Sequence, residues 1–229
     1  MNVLSIDIGG QHVKMMVSNR DEKRKFESGP DLTPARLVEK VKECASDWNF
    51  GAVSIGYPGL VVHGRIAAEP KNLGKGWAGF DFGDAFGCPV KVMNDAAMQA
   101  LGSYEGGRML FLGLGTGLGS AMIVDGVLEP MELAHLPYRK GRSYEDYVGK
   151  RGLKRLGRKR WRKHVWEVID LLRKALEPDY VVIGGGNVKK LGDMPKDVRR
   201  GDNANAFPGG FRLWAGRTDQ KAGKNSEGA

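Results

Sequence analysis

The chain has 229 residues, 41% of them hydrophobic, enough for one large domain or two lobes, and carries a formal net charge of +9. Cys44 and Cys88 are too few for a disulfide framework, and neither has a metal-site partner at short spacing. No apolar run reaches membrane-spanning length and the amino terminus lacks a signal-peptide pattern, so the cytoplasm is the expected compartment.

Residues 3–8 and 13–17 are apolar, β-branched runs joined by Gly9-Gly10, which predicts a strand pair closed by a glycine turn. Residues 33–48 have helical periodicity, with Leu37, Val38, Val41, Cys44, Ala45 and Trp48 on one face. Thr33 supplies an N-cap there, and Pro34 suits the first turn. A strand over 52–55 follows. Asn94 is placed to cap a helix running to Tyr104, directly after Val90-Lys91-Val92-Met93. Residues 109–112 and 120–124 make a second strand pair around the glycine-rich stretch 113–119, and Asp125-Gly126 is a hairpin turn. Trp161, Val165, Val168, Ile169, Leu172 and Leu176 form one stripe of a long helix that ends before Pro178. A strand over 180–183 leads into Gly184-Gly185-Gly186, and the tail 216–229, small, polar and glycine-rich, is expected to be flexible. The repeated theme of strand pair, glycine turn and helices predicts two related α/β lobes with a cleft between them.

Glycine turns after apolar strands leave backbone N–H groups free to cradle phosphate oxygens, because no Cβ blocks the approach. One such turn carries little information. Two of them, with a carboxylate opening a helix between them in sequence, point to phosphoryl transfer. Asp95 is the candidate general base: a carboxylate against an acceptor hydroxyl can take its proton as the bond to phosphorus forms. The alternative is that Asn94 and Asp95 only cap a helix. Asp7 ends an apolar strand, where a carboxylate is costly unless a cation or donors satisfy it. It is the candidate Mg²⁺ holder, through water, or else a turn-forming residue. Gly9, Gly10, Gln11, Gly115, Thr116 and Gly117 would face phosphate oxygens, and Lys14 either joins them or is an exposed strand charge. Glu132 and His135 lie three residues apart in a loop after Asp125-Gly126, close enough to reach one small polar ligand together.

The order of these motifs resembles the ROK family (repressors, open reading frames and kinases), whose sugar kinases have an actin-like ATPase, ribonuclease H-like fold. Asp7-Ile8-Gly9-Gly10 with Lys14 is similar to its first phosphate motif, and Ile55-Gly56-Tyr57-Pro58-Gly59 to its Gly-x-Pro-Gly turn. Pro70-Lys71-Asn72-Leu73 through Gly76-Trp77 is similar to its sugar-side loop, Asn94-Asp95-Ala96-Ala97 to its catalytic segment, and Glu132-Leu133-Ala134-His135 to its Glu-x-Gly-His motif. Ile183-Gly184-Gly185-Gly186 is similar to its adenosine turn. The resemblance implies sugar contacts from Asn72, Asn94, Asp95, Glu132, His135 and Glu145, and donor contacts from Gly184, Gly185 and Gly186. It also implies a homodimer and two lobes, 1–93 completed by a helix at about 203–215, and 94–202.

Three departures stand out. Residues 136–150 contain no cysteine, so the cysteine-rich zinc site that many family members have after the sugar motif is not expected. This absence, with Tyr144-Glu145-Asp146-Tyr147 and the Lys189-Lys190 pair, resembles the polyphosphate glucokinase branch. Ala134 replaces the motif glycine, a strain if that position needs φ > 0. Gln11-His12 adds bulk beside the first phosphate turn. Charge is uneven too: between Arg139 and Lys163 there are twelve basic residues against Glu145 and Asp146, so the remainder of the chain is nearly neutral. Such a segment suits polyphosphate, nucleic acid or plain solvation.

The leading expectation is a sugar kinase moving phosphoryl from ATP or polyphosphate to the 6-hydroxyl of glucose or a related hexose. The alternative is a sugar-binding pseudokinase or sensor with an impaired phosphate site. A repressor of the same family would carry a DNA-binding domain ahead of the core. Here the first phosphate motif begins almost at Met1, so none is expected, and no membrane association is either.

Overall fold

In a computed structural model, residues 1–215 are described; the expected flexible tail, 216–229, lies outside the described residues. Two compact units are present, one of Met1–Gly102 joined by the segment that begins at Ala206, the other of Ser103–Asn205.

The first unit contains β1 (Val3–Ile8), β2 (His12–Val17), β3 (Lys23–Glu27), α1 (Pro34–Cys44), β4 (Ala52–Tyr57), β5 (Val61–Val62), β6 (Arg65–Ile66), α2 (Phe82–Phe86), β7 (Val90–Asn94) and α3 (Asp95–Ser103). Its main sheet has the order β3-β2-β1-β4-β7. The first three strands run antiparallel, and β4 and β7 continue parallel to β1. Every residue of β1 and β4 is buried, as the near-continuous apolar runs of central parallel strands require. The charged edge strand β3 alternates exposed Lys23, Lys25 and Glu27 with half-buried Arg24 and Phe26. Thr33 caps α1 by accepting from the Arg36 amide at 3.3 Å, but the helix stops at Cys44 rather than reaching Trp48. Trp48 is nevertheless buried, carried inward by a turn in which its amide bonds the Ala45 carbonyl.

The second unit contains β8 (Arg108–Leu114), β9 (Leu118–Val124), β10 (Val127–Met131), β11 (Pro137–Arg139), β12 (Arg142–Ser143), α4 (Tyr144–Val148), α5 (Lys150–Leu176), β13 (Tyr180–Gly184) and β14 (Val198–Arg200). Its sheet order, β10-β9-β8-β13-β14, repeats the connectivity of the first, with three antiparallel strands and then two parallel ones. The duplication expected from the repeated motif theme is therefore present strand for strand. Asp125 (φ 49°) and Gly126 (φ 83°) form the β9–β10 turn, with both central residues left-handed as a two-residue hairpin favours. α5 buries Trp161, Val165, Val168, Ile169 and Leu172 and is broken at Gly157, whose φ 72° and ψ 161° only glycine adopts comfortably.

The boundary between units falls at Gly102, not after residue 93, so α3 belongs to the first unit. The cause is local: Gly56 on β4 has no side chain, and a Cβ there would stand 2.5 Å from Met98 Cε on α3. α6 (Ala206–Arg212) also packs in this unit, where Ser5 and Ser54 donate from Oγ to the carbonyls of Ala206 and Gly210 at 3.3 and 2.6 Å. Gly209 and Gly210 make that approach possible, since a Cβ on either would collide with Met98 or Ser5. Among the described residues, no helix is long and apolar enough to cross a membrane.

Candidate active site

The parallel register lines up the acidic residues of the first unit. Asp7 pairs with Lys14 on β2 and with Gly56 on β4, and Gly56 pairs with Met93 on β7, just before Asn94 and Asp95. A Cβ at Gly56 would lie 3.5 Å from the Asp95 Cα, so the missing side chain lets the start of α3 settle over the sheet. Asn94 acts as a cap: its Oδ1 accepts from the amides of Ala96 and Ala97, and its Nδ2 donates one of its two N–H groups to the Gly59 carbonyl at 3.1 Å. Asp95 accepts from the Ala96 amide at 2.8 Å through Oδ1. The capping role of the pair is thus carried chiefly by Asn94, whose Oδ1 takes two amides.

Both carboxyls are held toward the neutral form. Burial pushes Asp7 up to about 6, and the Lys14 ammonium opposite only partly offsets this. Asp95 is pushed up to about 7, first by desolvation and then by the Asp7 carboxylate, against the amides that bond it. An acid that titrates near neutrality can accept a proton at neutral pH. Asp7 is buried and accepts no hydrogen bond among the described residues, which fits a carboxylate that gains a cation when the site is filled.

The glycine turns after β1 and β8 share one construction. In the first, the Gly9 carbonyl accepts from Ser28 Oγ at 2.7 Å and the Gln11 carbonyl from the Ser28 amide at 3.0 Å. In the second, the Gly115 carbonyl accepts from Asn187 Nδ2 at 3.0 Å and the Thr116 carbonyl from the Lys150 amide at 3.1 Å. A trans peptide points its C=O and the following N–H in opposite directions. Pinning the Gly9, Gly115 and Thr116 carbonyls therefore turns the amides of Gly10, Thr116 and Gly117 the other way, and none of these three donates to a protein group among the described residues. Gly10 and Gly115 have open space where a Cβ would stand. Gln11 is exposed.

The third glycine turn packs against the second. Gly185 has φ 84°, and a Cβ on it would lie 2.6 Å from the Leu114 carbonyl group. The Asn187 amide bonds the Leu114 carbonyl at 3.0 Å. Gly184 closes β13 opposite Gly113, and Gly186 is exposed. Glu145, in the first turn of α4, lies against the second turn, where a Cβ on Gly117 would collide with its Oε2. Glu132 and His135 are exposed, in a loop held by Ser120, whose Oγ donates to the Met131 carbonyl at 2.9 Å and accepts from the Leu133 amide. Ala134 is buried and is not among the left-handed residues, so the motif alanine brings no backbone strain. Its carbonyl accepts from the Glu145 amide at 3.0 Å, tying the loop to α4.

Within the first unit, the structure brings Asp7, Lys14, Asn94 and Asp95 together beside Gly9 and Gly10. Within the second, Gly115, Thr116, Gly117, Glu145 and Gly184–Gly186 are neighbours. Asn72 is exposed and makes no hydrogen bond among the described residues; its loop is organised by Glu69, which accepts from the amides of Gly76, Trp77 and Ala78. Ser28, Ser120, Asn187 and Glu69 carry no motif in the sequence. His164 likewise has a context invisible there: it bonds the Tyr138 hydroxyl at 3.0 Å and packs edge-on to Tyr147, joining β11, α4 and α5.

A duplicated sheet of this order, with a glycine turn after the first strand of each copy and an Asp following the fifth strand of the first, defines the actin-like ATPase fold. The chain belongs to the ROK family, whose model matches residues 3–129, more than half of its length. It is 28% identical to the polyphosphate glucokinase of Mycobacterium tuberculosis, over 81% of this chain and 77% of that protein. Among solved structures, it superposes on the inorganic polyphosphate/ATP-glucomannokinase of Arthrobacter sp. strain KM with a TM-score of 0.76 and 24% identity, covering 91% of this chain and 96% of that one. A ROK family glucokinase from Streptomyces griseus, solved with glucose and AMPPNP, gives a TM-score of 0.68 at 17% identity, covering 93% and 99%.

Proposed function

We propose that the chain is a hexokinase-type phosphotransferase, carrying a phosphoryl group from ATP or inorganic polyphosphate to the 6-hydroxyl of glucose or a related hexose. The observation that carries this reading is Asp95: a carboxyl at the start of α3, beside Asp7, that desolvation and the Asp7 carboxylate push up to about 7. The sugar oxygen attacks the terminal phosphorus, the bond from phosphorus to the donor's bridging oxygen breaks, and the hydroxyl proton passes to Asp95. The leaving group is ADP or a polyphosphate shortened by one unit. The unspent amides of Gly10, Thr116 and Gly117 would hold donor oxygens, with Gly184–Gly186 on the adenosine side. Asn72, Asn94, Glu132, His135 and Glu145 would bind sugar hydroxyls, Asn94 through the second N–H of its Nδ2, which the cap leaves unused. Asp7 would hold Mg²⁺ through water, and the ion would neutralise charge on the transferred group.

Two departures from the family pattern leave this reading intact. Ala134 is unstrained, and Gln11 takes part in the first turn through its carbonyl, with its residue exposed. We further propose a homodimer, on family likeness. The deciding experiment is coupled hexose phosphorylation with each donor and purified protein. Glucose 6-phosphate formation with either donor supports the reading. Tight sugar binding with no transfer from either would establish the pseudokinase alternative instead.

A further inference from the structure

Asn187 belongs to none of the sequence motifs, and Lys190 enters them only as half of the Lys189-Lys190 pair, yet both meet the donor side of the second unit through one continuous chain of bonds. Lys190 Nζ donates to Asn187 Oδ1 at 2.7 Å, and Asn187 Nδ2 donates to the Gly115 carbonyl at 3.0 Å. At the far end, Arg158 Nε donates to the Lys190 carbonyl at 3.0 Å, one residue past the helix break at Gly157. The Asn187 side chain is therefore used at both ends: its oxygen faces an ammonium and its nitrogen grips the phosphate turn. An ammonium on the amide oxygen polarises the amide and strengthens its N–H as a donor. The gripped carbonyl belongs to the same peptide as the Thr116 N–H, so fixing one orients the other.

We infer that Asn187 and Lys190 are positioning residues for the phosphoryl donor, acting through the Gly115–Thr116 peptide rather than by touching phosphate. The inference rests on the phosphotransferase reading for its meaning in turnover, but not for its test. Any polyphosphate-type anion that uses the Thr116 amide should feel the loss, ATP and inorganic polyphosphate alike. Lys189, adjacent and equally charged, is exposed and makes no such bond among the described residues, so it separates orientation from bulk charge.

The probe is inorganic tripolyphosphate, titrated calorimetrically into the full chain. Asn187→Asp keeps the shape and the Lys190 contact but cannot donate to Gly115; Lys190→Met removes the ammonium. Each should weaken tripolyphosphate binding by about tenfold, the loss of one well-placed hydrogen bond. Lys190→Arg should recover part of the loss, and Lys189→Met should change binding by less than about twofold, as expected for a screened surface charge. In turnover, donor KM should rise with kcat and hexose KM held. Equal losses at Lys189 and Lys190, unchanged binding in Asn187→Asp, or no tripolyphosphate affinity in the wild type would overturn the inference. A wild type that binds tripolyphosphate in this pattern but phosphorylates no hexose would sustain the inference and defeat the phosphotransferase reading.

Discussion

Asp7 and Asp95 face each other across Gly56, and the Asp7 carboxylate is one of the two causes that raise the Asp95 pKa. The pair does what neither residue could alone. A lone Asp opening an exposed helix is stabilised as an anion by the N-terminal amides. Burial and a second carboxylate reverse that preference, so Asp95 titrates close to the pH at which a base is useful.

If Asp95 is the base, Asp95→Asn should retain hexose binding while kcat falls by at least ~10²-fold, the usual cost of losing a general base. The wild-type kcat/KM should rise with pH through an apparent pKa above the ordinary carboxylate value of 3.8 and below about 7, because Mg²⁺ at Asp7 would offset part of the shift and only the deprotonated carboxylate accepts the proton. The residual rate of the variant should lack that limb. Near-normal turnover in a pure sample would defeat the assignment.

The same pair makes a stability prediction. Folded pKa values of about 6 and 7 lie above the reference value of 3.8, so between pH 4 and 7 the native state holds more protons than the unfolded one. Stability contributed by the pair should therefore fall as pH rises through that window and level off above it. Asp95→Asn removes a desolvated, half-buried charge and should be more stable than wild type at pH 8, by on the order of 2 kcal/mol after discounting for the partial exposure of Asp95. The difference should vanish near pH 4, where both proteins are neutral at this position. A variant less stable than wild type at pH 8 would show that the carboxylate is satisfied as an anion. Mg²⁺ should stabilise the wild type at pH 8 more than it stabilises Asp7→Asn, if Asp7 holds the ion.

Gly185 offers a test of the packed glycine turns. With φ 84° and the Leu114 carbonyl group 2.6 Å from any Cβ, Gly185→Ala combines backbone strain with a backbone collision. The second unit should lose about 2–4 kcal/mol, measured by denaturant unfolding. Gly186→Ala, where the Cβ would enter open space, should cost far less.

Much of this was legible in the sequence because its signals are local. Thr33 followed by Pro34 marks a helix start, Asp125-Gly126 a tight hairpin, and each strand–glycine–strand run a strand pair closed by a glycine turn, all within a few residues. What was hidden depends on distance along the chain. Ser28 reaches Gly9 across 19 positions and Asn187 reaches Gly115 across 72, and a single serine or asparagine in a loop has no pattern that announces its partner. The packing of α3 in the first unit has an equally distant signal: Gly56 leaves room for it, and a strand glycine has no pattern that announces a helix over it. The break at Gly157 was masked because the apolar stripe from Trp161 onward is regular by itself.

The basic segment yields the last prediction, and the structure sharpens which residues to change. Arg155 is occupied by the Asp146 carbonyl at 2.8 Å and stacks over Tyr147, while Arg158 holds the Lys190 carbonyl. Removing either perturbs α4 or the third glycine turn, so a loss of activity there would not report on a donor path. Lys154, Lys159, Arg160 and Lys163 are exposed and have no ion-pair partner among the described residues. A long anionic chain draws on many dispersed charges, whereas a nucleotide needs only the turns and a base pocket. Changing these four to Ser should raise the apparent KM for long polyphosphate and leave that for ATP and hexose nearly unchanged. The polyphosphate effect should shrink as salt rises, since exposed charges are screened within ~8–10 Å at physiological ionic strength. Equal loss with both donors would indicate a folding defect. No change with either would identify the segment as a solvated helical face on a kinase that uses ATP.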